Sequence, residues 1–366
     1  MEELFRYFLR LGATGFGGPI ALIGLMEKHF VRKTKSITDV DFQRYVASAK
    51  LFPGPLATLI AVRIGHASHG WKGGMLAGIG LILPAFLMII ALSEFFFQSR
   101  TTPSVIWSAL ITGLNLGGLT LSAMAAFRFA RPLVSPNTAF YFLISGILTY
   151  LHPSHEIYFL IGCGILSLLH HRFKHLVFEG ASTFLIPLFL ESLKASLFTF
   201  GSGIAIVPAL KAAYLDQYHW VTNNDFLTSL SLGQMTPGPL VIFNASLGHQ
   251  VAGFSGAIFA SLGTFLPTFV FGILLMPVFE RKLLQAPLLK TFFAGMLPAV
   301  GGAIIGSVIR LCLYAFENGD AGFDSIRILM FIFLLALGLI KDPHSLIIIL
   351  SGGVLAVGAS LAGIIQ

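Results

Sequence analysis

Charge is what this chain has least of. Asp, Glu, Lys and Arg together make up 11% of its 366 residues, too little to coat a soluble globule of that size. Cysteine is almost missing too: Cys163 and Cys312 lie inside apolar segments at no metal-ligand spacing, so each reads as a small packing residue, and no metal site is expected. There is no phosphate loop, HExxH zinc motif, dinucleotide fingerprint or Ser/His/Asp arrangement. These absences argue against an enzyme, a bound cofactor, and transport powered by ATP held in this chain. The opening Met1-Glu2-Glu3-Leu4-Phe5-Arg6 carries acids where a signal peptide needs bases and is read as mature sequence.

What the chain does have is apolar length. It is 55% hydrophobic with a mean hydropathy of +0.85, and several runs are long enough to cross roughly 30 Å of hydrocarbon as helices. They are Met75 to Phe97, Val105 to Phe127, Val251 to Val278, Phe292 to Phe316 and Ser345 to Gln366. The formal charge of +7 sits in short loops between these runs, where it reports orientation in a bilayer and not a nucleic acid partner.

The sequence also repeats itself. An offset of 184 superposes Arg10 on Lys194, Phe16-Gly17 on Phe200-Gly201, Asp41-Phe42 on Asp225-Phe226 and Pro53-Gly54-Pro55 on Pro237-Gly238-Pro239. One residue is then lost, and at 183 Gly65-His66 falls on Gly248-His249 and Leu83-Pro84 on Leu266-Pro267. Ordered matches at turn formers and helix breakers imply two homologous halves, residues 1–175 and 176–366, joined near Arg172 to Ser182.

Loop charge bears on how the halves are oriented. If every apolar segment crosses, the basic residues divide eleven against seven between the two sides. If each Pro-Gly-Pro segment instead dips in and returns, Arg63, Lys72, Arg128, Arg131, Arg172 and Lys174 move inside, Arg100 and Lys211 move out, and the division becomes fifteen against three. The positive-inside rule therefore favours an all-α integral membrane protein of two inverted-topology repeats, each of about five crossings with a re-entrant Pro-Gly-Pro hairpin.

Proline lacks an N–H and glycine lacks a Cβ, so Pro-Gly-Pro cannot continue a helix; in lipid the unpaired backbone it leaves survives only against protein or a watery cavity. Helices restarting at Leu56 and Leu240 would turn their N-termini, each worth about half a positive charge, toward such a cavity. A second break lies upstream at Gly15-Phe16-Gly17-Gly18-Pro19 and at Phe200-Gly201-Ser202-Gly203, near the middle of the first apolar segment of each half. Arg10 and Lys194 precede these breaks, and Lys50 stands three residues before Pro53 where the second half has Gln234. Charge at depth tends to mark function, and its sign here favours an anion. Gln234, Thr236, Asn244 and Asn115 add hydrogen-bond donors, although each is equally suited to linking helices. The candidate substrate-binding set is thus Arg10, Gly17, Gly18, Lys50, Pro53, Gly54, Pro55, Lys194, Gly201, Ser202, Gly203, Gln234, Thr236, Pro237, Gly238, Pro239 and Asn244.

Weaker signals fill in the rest. Glu94 is the one acid placed to carry a proton, Arg63 reads as an interfacial anchor, and His170, His171 and His175 form a charge cluster, not a metal site. The GxxxG spacings at Gly74 to Gly78, Gly113 to Gly117 and Gly302 to Gly306 fit contacts between helices of one chain better than a dimer seam, and a homodimer stays open.

The order Phe16-Gly17-Gly18-Pro19, Asp41-Phe42, Pro53-Gly54-Pro55 resembles the chromate ion transporter family. The second half resembles it more closely through Phe200-Gly201-Ser202-Gly203-Ile204-Ala205, Trp220 with Asp225-Phe226, and Gln234-Met235-Thr236-Pro237-Gly238-Pro239. The resemblance implies a two-domain multi-pass carrier in the cell membrane, the inner membrane of a Gram-negative cell, exporting chromate by the proton gradient or by anion exchange. Lys50 against Gln234, Pro19 against Gly203 and Ser36 against Trp220 are departures between the halves. Sulfate, a tetrahedral dianion of similar size, is the alternative substrate; a passive anion channel, an intramembrane lipid enzyme and a helical scaffold are the alternative classes.

Overall fold

Long apolar runs with few breakers dictate helices, and helices form. The computed structural model describes residues 1–16, 18–98, 105–135, 138–151, 185–200, 203–282, 287–316, 324–341 and 345–362. Among them the only strand-like pairing is one antiparallel bridge between Pro53 and Phe200. In chain order the helices are α1 (Glu2–Thr14), α2 (Gly18–Glu27), α3 (Asp39–Ala49), α4 (Leu56–Gln98), α5 (Val105–Ala130), α6 (Ala139–Leu151) and α7 (Leu185–Leu197). There follow α8 (Val207–Lys211), α9 (Asn223–Met235), α10 (Phe243–Val270), α11 (Met276–Lys282), α12 (Pro287–Phe316), α13 (Ser325–Lys341) and α14 (Ser345–Leu361). Among the described residues, four stretches are long and apolar enough to cross a membrane: Leu56–Phe97, Val105–Leu133, Leu240–Glu280 and Pro298–Phe316. This is an all-α membrane protein.

The sequence repeat is written into the backbone. A turn of π-helix at Lys28–Lys33 recurs at Ala212–Gln217, and each is followed by a left-handed residue, Lys35 at φ 51° and His219 at φ 50°. Thr38 caps α3 by accepting from the Asp41 N–H at 3.1 Å, and Thr222 caps α9 by accepting from the Asp225 N–H at 3.2 Å. Non-helical turns interrupt α4 at His69-Gly70 and α10 at Ala252-Gly253, with Gly70 at φ 61° and Gly253 at φ 58°.

Short helices on either side of each break fold back on one another. The Tyr7 hydroxyl of α1 donates to the Leu25 carbonyl of α2 at 3.0 Å, and its ring stacks on His29 at 3.9 Å. A continuous helix would hold residues 7 and 25 about 27 Å apart. The Gly-rich segment is therefore a hairpin tip, a sharper event than the mid-helix interruption its composition predicts. The Pro-Gly-Pro arms pair likewise: the Arg63 guanidinium lies 4.3 Å from the centre of the Tyr45 ring, and at the matching positions of the second half the Ser246 hydroxyl meets the Ser229 hydroxyl at 3.0 Å.

Beyond its turn each long helix packs against its counterpart. Gly74 faces Ile273, in the π-helical turn Phe271–Leu275 that continues α10, and Gly78 faces Phe269, so numbering rises along α4 as it falls along α10 and the two run antiparallel. The GxxxG glycines serve contacts within the chain: Gly113 of α5 lies against Gly352 of α14, and Gly302 and Gly306 of α12 lie against Gly146 of α6. Without a side chain the backbones approach closely, which dispersion rewards where lipid cannot supply a hydrophobic drive.

Candidate functional site

Crossed hydrogen bonds join the four hairpin tips. The Gly54 N–H donates to the Thr199 carbonyl at 2.7 Å, and the Gly238 N–H donates to the Gly15 carbonyl at 3.0 Å. Gly15 and Thr199 are themselves 184 apart, so each Pro-Gly-Pro tip is tied to the Gly-rich tip of the other half. Gly54 at φ 116° and Gly238 at φ 100° adopt backbone that a side chain resists, which is why glycine stands there. Pro53 is half-buried, while Gly54, Pro55, Pro237, Gly238 and Pro239 are buried. Gly203 packs on Leu240 and Val241, bringing the two breaks of the second half together, and Gly18 opens α2 at φ 73°. Gly17, Gly201 and Ser202 lie outside the described residues, as do His170, His171, His175 and Cys163.

Helices that restart after the tips leave their first N–H groups without intrahelical acceptors. Near the first tip the structure adds two hydroxyls the sequence reading passed over. Thr58 Oγ1, in the first turn of α4, and Thr268 Oγ1, whose oxygen would sit 2.8 Å from a Cβ on Gly54, are fully buried and, among the described residues, without a hydrogen-bond partner. An orphan hydroxyl in an apolar protein costs on the order of 1–3 kcal/mol, so two beside one helix N-terminus mark a place prepared for an acceptor. The repeat-related positions at the second tip carry Ile242 and Ala85 in their place.

Several candidate side chains are already engaged. Gln234 Nε2 donates to the Gly118 carbonyl at 2.7 Å and to Ser122 Oγ at 3.1 Å. Asn244 Nδ2 donates to Ser192 Oγ and Thr264 Oγ1, both at 2.8 Å, leaving Asn244 Oδ1 buried and unpartnered. Asn115 Nδ2 reaches Asn224 Oδ1 at 2.9 Å, and Thr236 Oγ1 bonds back to the Leu232 carbonyl at 2.8 Å. These four link helices or fold onto their own turn. Lys194 pairs with Glu191 at 2.7 Å and stays half exposed, whereas Arg10 and Lys50 are exposed, Lys50 at the C-terminal end of α3.

The strongest charge pair is one the sequence reading placed at the surface. Arg63, 9% exposed, holds Glu280 of α11 in a bidentate bond, Nη2 to Oε2 at 2.6 Å and Nε to Oε1 at 3.0 Å. It is buried structure bridging the two halves of the chain, not an interfacial anchor. On the other half, His249 Nε2 lies 3.2 Å from Glu94. A cavity of about 360 Å³ opens beside Arg63, lined by Arg44, Tyr45, Arg63, His66, Ala67, Pro277 and Glu280. A larger groove of about 750 Å³ between α4 and α10 is walled by residues such as Ile79, Leu83, Leu262 and Leu274 and offers an anion almost nothing polar. Among the described residues, no three His, Cys, Asp or Glu side chains gather as a metal site requires.

Hairpin tips stitched by backbone hydrogen bonds inside an apolar helical bundle define a multi-pass membrane protein whose irregular backbone is sheltered by protein. The chain belongs to the chromate transporter family: the chromate transporter model matches residues 2–168 and 186–357, two stretches whose starts reproduce the internal offset. It is 31% identical over 336 residues to the probable chromate transport protein of Synechococcus elongatus, covering 85% of this chain and 84% of that one. It is 32% identical over 334 residues to the chromate transport protein of Cupriavidus metallidurans, covering 85% and 82%, and 28% identical over 349 residues to that of Pseudomonas aeruginosa, covering 86% and 82%. No solved structure matches it.

Proposed function

We propose that this protein is a secondary carrier that exports chromate across the plasma membrane, the inner membrane where there are two. Its halves, residues 1–175 and 176–366, are inverted repeats, and the oxyanion binds near mid-membrane among the re-entrant tips. The crossed pair of Gly54 to Thr199 and Gly238 to Gly15 is the observation that carries this reading, because it gathers four backbone breaks and two helix N-termini at one locus. The antiparallel run of α4 against α10 supports inversion, since a two-fold relation that reverses matched helices lies across their axes. Names of relatives supply the substrate: proteins about 30% identical over most of their length are chromate transport proteins.

Thr58, Thr268 and the N–H groups after Pro55 would take oxygens of the anion, with Lys50, three residues before Pro53, the candidate for its charge. Transport follows by exposing this locus to one face and then the other as one bundle rocks on its partner. The test is flux in reconstituted vesicles, comparing chromate, sulfate and molybdate with and without a pH gradient. Saturable chromate movement with trans-stimulation is the expected result. Linear, non-saturating flux would make the protein a channel, and no oxyanion flux would remove the function altogether. A pH gradient that changes the rate identifies proton coupling; exchange without it identifies an anion antiporter.

A further inference from the structure

The cavity beside Arg63 lies about two helical turns along α4 from the first Pro-Gly-Pro tip, toward the open end of that hairpin. Its lining holds two guanidiniums, Arg44 and Arg63, one imidazole, His66, and a single carboxylate, Glu280. Arg63 spends its Nε and Nη2 on Glu280 and, among the described residues, makes no hydrogen bond through Nη1. Its plane is held by the Tyr45 ring beneath it. His66 Nδ1 is buried and has no hydrogen-bond partner among the described residues. Arg44 is bonded to Asp41 at 3.1 Å in a pair exposed on both sides, a bond worth little to either group.

We propose that this cavity is a second anion site, a vestibule that receives the oxyanion on its way to the tips, and that the Glu280 carboxylate occupies Arg63 in the anion's absence. The proposal rests on the transport reading above and deepens it. A guanidinium fork binds two oxygens of a carboxylate or of a tetrahedral oxyanion in the same bidentate manner, so substrate and Glu280 compete for one partner. A volume of about 360 Å³ accommodates such an ion with some of its water. The repeat-related mouth keeps the imidazole, as His249, but none of the guanidiniums. At the positions related to Arg44, Tyr45, Arg63 and Glu280 it carries Thr228, Ser229, Ser246 and Phe97, and there Ser246 donates to Ser229 and accepts from Ser93 at 2.7 Å. The vestibule therefore belongs to one face, which the positive-inside reading makes cytoplasmic, the face from which an exporter must collect its cargo.

Displacing Glu280 also loosens the contact by which Arg63 ties α4 to α11, so arrival of the anion favours opening of the hairpin mouth it has entered. The experiment is initial-rate chromate transport measured from each face separately, in inside-out vesicles and in right-side-out ones, for wild type, Arg44→Gln, His66→Gln and Glu280→Gln. Arg44→Gln and His66→Gln are expected to raise the KM from the cytoplasmic face about three- to tenfold, with a shallower salt dependence, and to leave the KM from the other face where it was. Glu280→Gln keeps a hydrogen-bonding partner for Arg63 but removes the competing charge, so its KM from the cytoplasmic face falls; a purely bracing Glu280 would not lower it. Arg44 is exposed, so its variant folds even if Glu280→Gln does not. An unchanged cytoplasmic KM in Arg44→Gln overturns the vestibule, as does an equal rise on both faces. Wild-type vesicles that carry no oxyanion would instead sink the transport reading, which separates the two failures.

Discussion

Gly54→Ala tests the geometry of the first tip most directly. Gly54 holds φ at 116°, and a Cβ placed there would lie 2.8 Å from Thr268 Oγ1, with the next neighbours, Leu59 Cδ1 and Thr268 Cα, at an ordinary 3.7 Å. Two separable costs follow. The backbone conformation alone costs a residue with a Cβ on the order of 1–2 kcal/mol. Crowding against Thr268 adds about 1–3 kcal/mol, because packed interiors give little room. Thr268→Ala removes the obstructing oxygen and, since that hydroxyl has no partner, is itself nearly neutral for folding. The double variant should therefore recover the crowding cost and keep the backbone cost. Thermal unfolding in detergent would show Gly54→Ala lowered by several degrees, Thr268→Ala close to wild type, and the double variant between them. Chromate flux, measured alongside, should fall in Thr268→Ala if its hydroxyl is an anion ligand. A Gly54→Ala protein that melts with the wild type would refute the claim that the tip demands left-handed backbone, and a double variant no better than the single would refute the steric half.

Other substitutions follow from the same contacts. Arg63→Ala strands the Glu280 carboxylate in a buried setting and should cost about 3–5 kcal/mol, with the Arg63→Ala/Glu280→Ala double variant less damaged than the single, read by thermal unfolding. Thr222→Ala removes the cap of α9 and should cost about 1 kcal/mol, a loss that Thr222→Ser largely avoids in the same assay. Lys50→Gln, at an exposed position, should leave the stability within about 0.5 kcal/mol of wild type while lowering chromate flux; equal flux would remove Lys50 from the site.

Much of this architecture is legible in the sequence because breakers are local: proline and glycine at a fixed offset announce a doubled backbone irregularity wherever the chain goes in space. The matched turns at Lys35 and His219 and the kinks at Gly70 and Gly253 continue that offset into conformation. Fold-back at Gly15 was not legible, because hydropathy counts the apolar residues of a segment and is blind to whether Tyr7 meets Leu25. Nor was the Arg63 to Glu280 pair, whose members lie 217 residues apart. A signal did exist, in that Arg63 interrupts a run otherwise apolar from Leu56 to Ile64 save for Thr58, and a charge so placed asks for a partner. Gln234 and Asn244 were legible as donors but not as donors already committed, which depends on Gly118 and Thr264 arriving from other helices.

The differences between the halves matter more than their likeness. Two identical inverted halves would make the inward-facing and outward-facing forms mirror each other, with equal energies and equal affinities at both mouths. Here one mouth carries Arg63 on Glu280 over Tyr45, and the other carries a chain of neutral hydroxyls, Ser93, Ser246 and Ser229, beside His249 and Glu94. At the tips, Thr58, Thr268 and Lys50 correspond to Ile242, Ala85 and Gln234 by the repeat. Arg63, Lys50 and Thr58 lie on the first-half hairpin, and Glu280 and Thr268 reach it from the second half, so under the proposed topology the anion's contacts accumulate around that one hairpin while the other acts as the surface it rocks against. Grafting the difference is the decisive manipulation: Ser246→Arg with Phe97→Glu builds the first mouth's ion pair into the second, and chromate KM from that opposite face should then fall toward the cytoplasmic value. If the graft folds and that KM does not move, the asymmetry of the mouths is not what distinguishes the two faces.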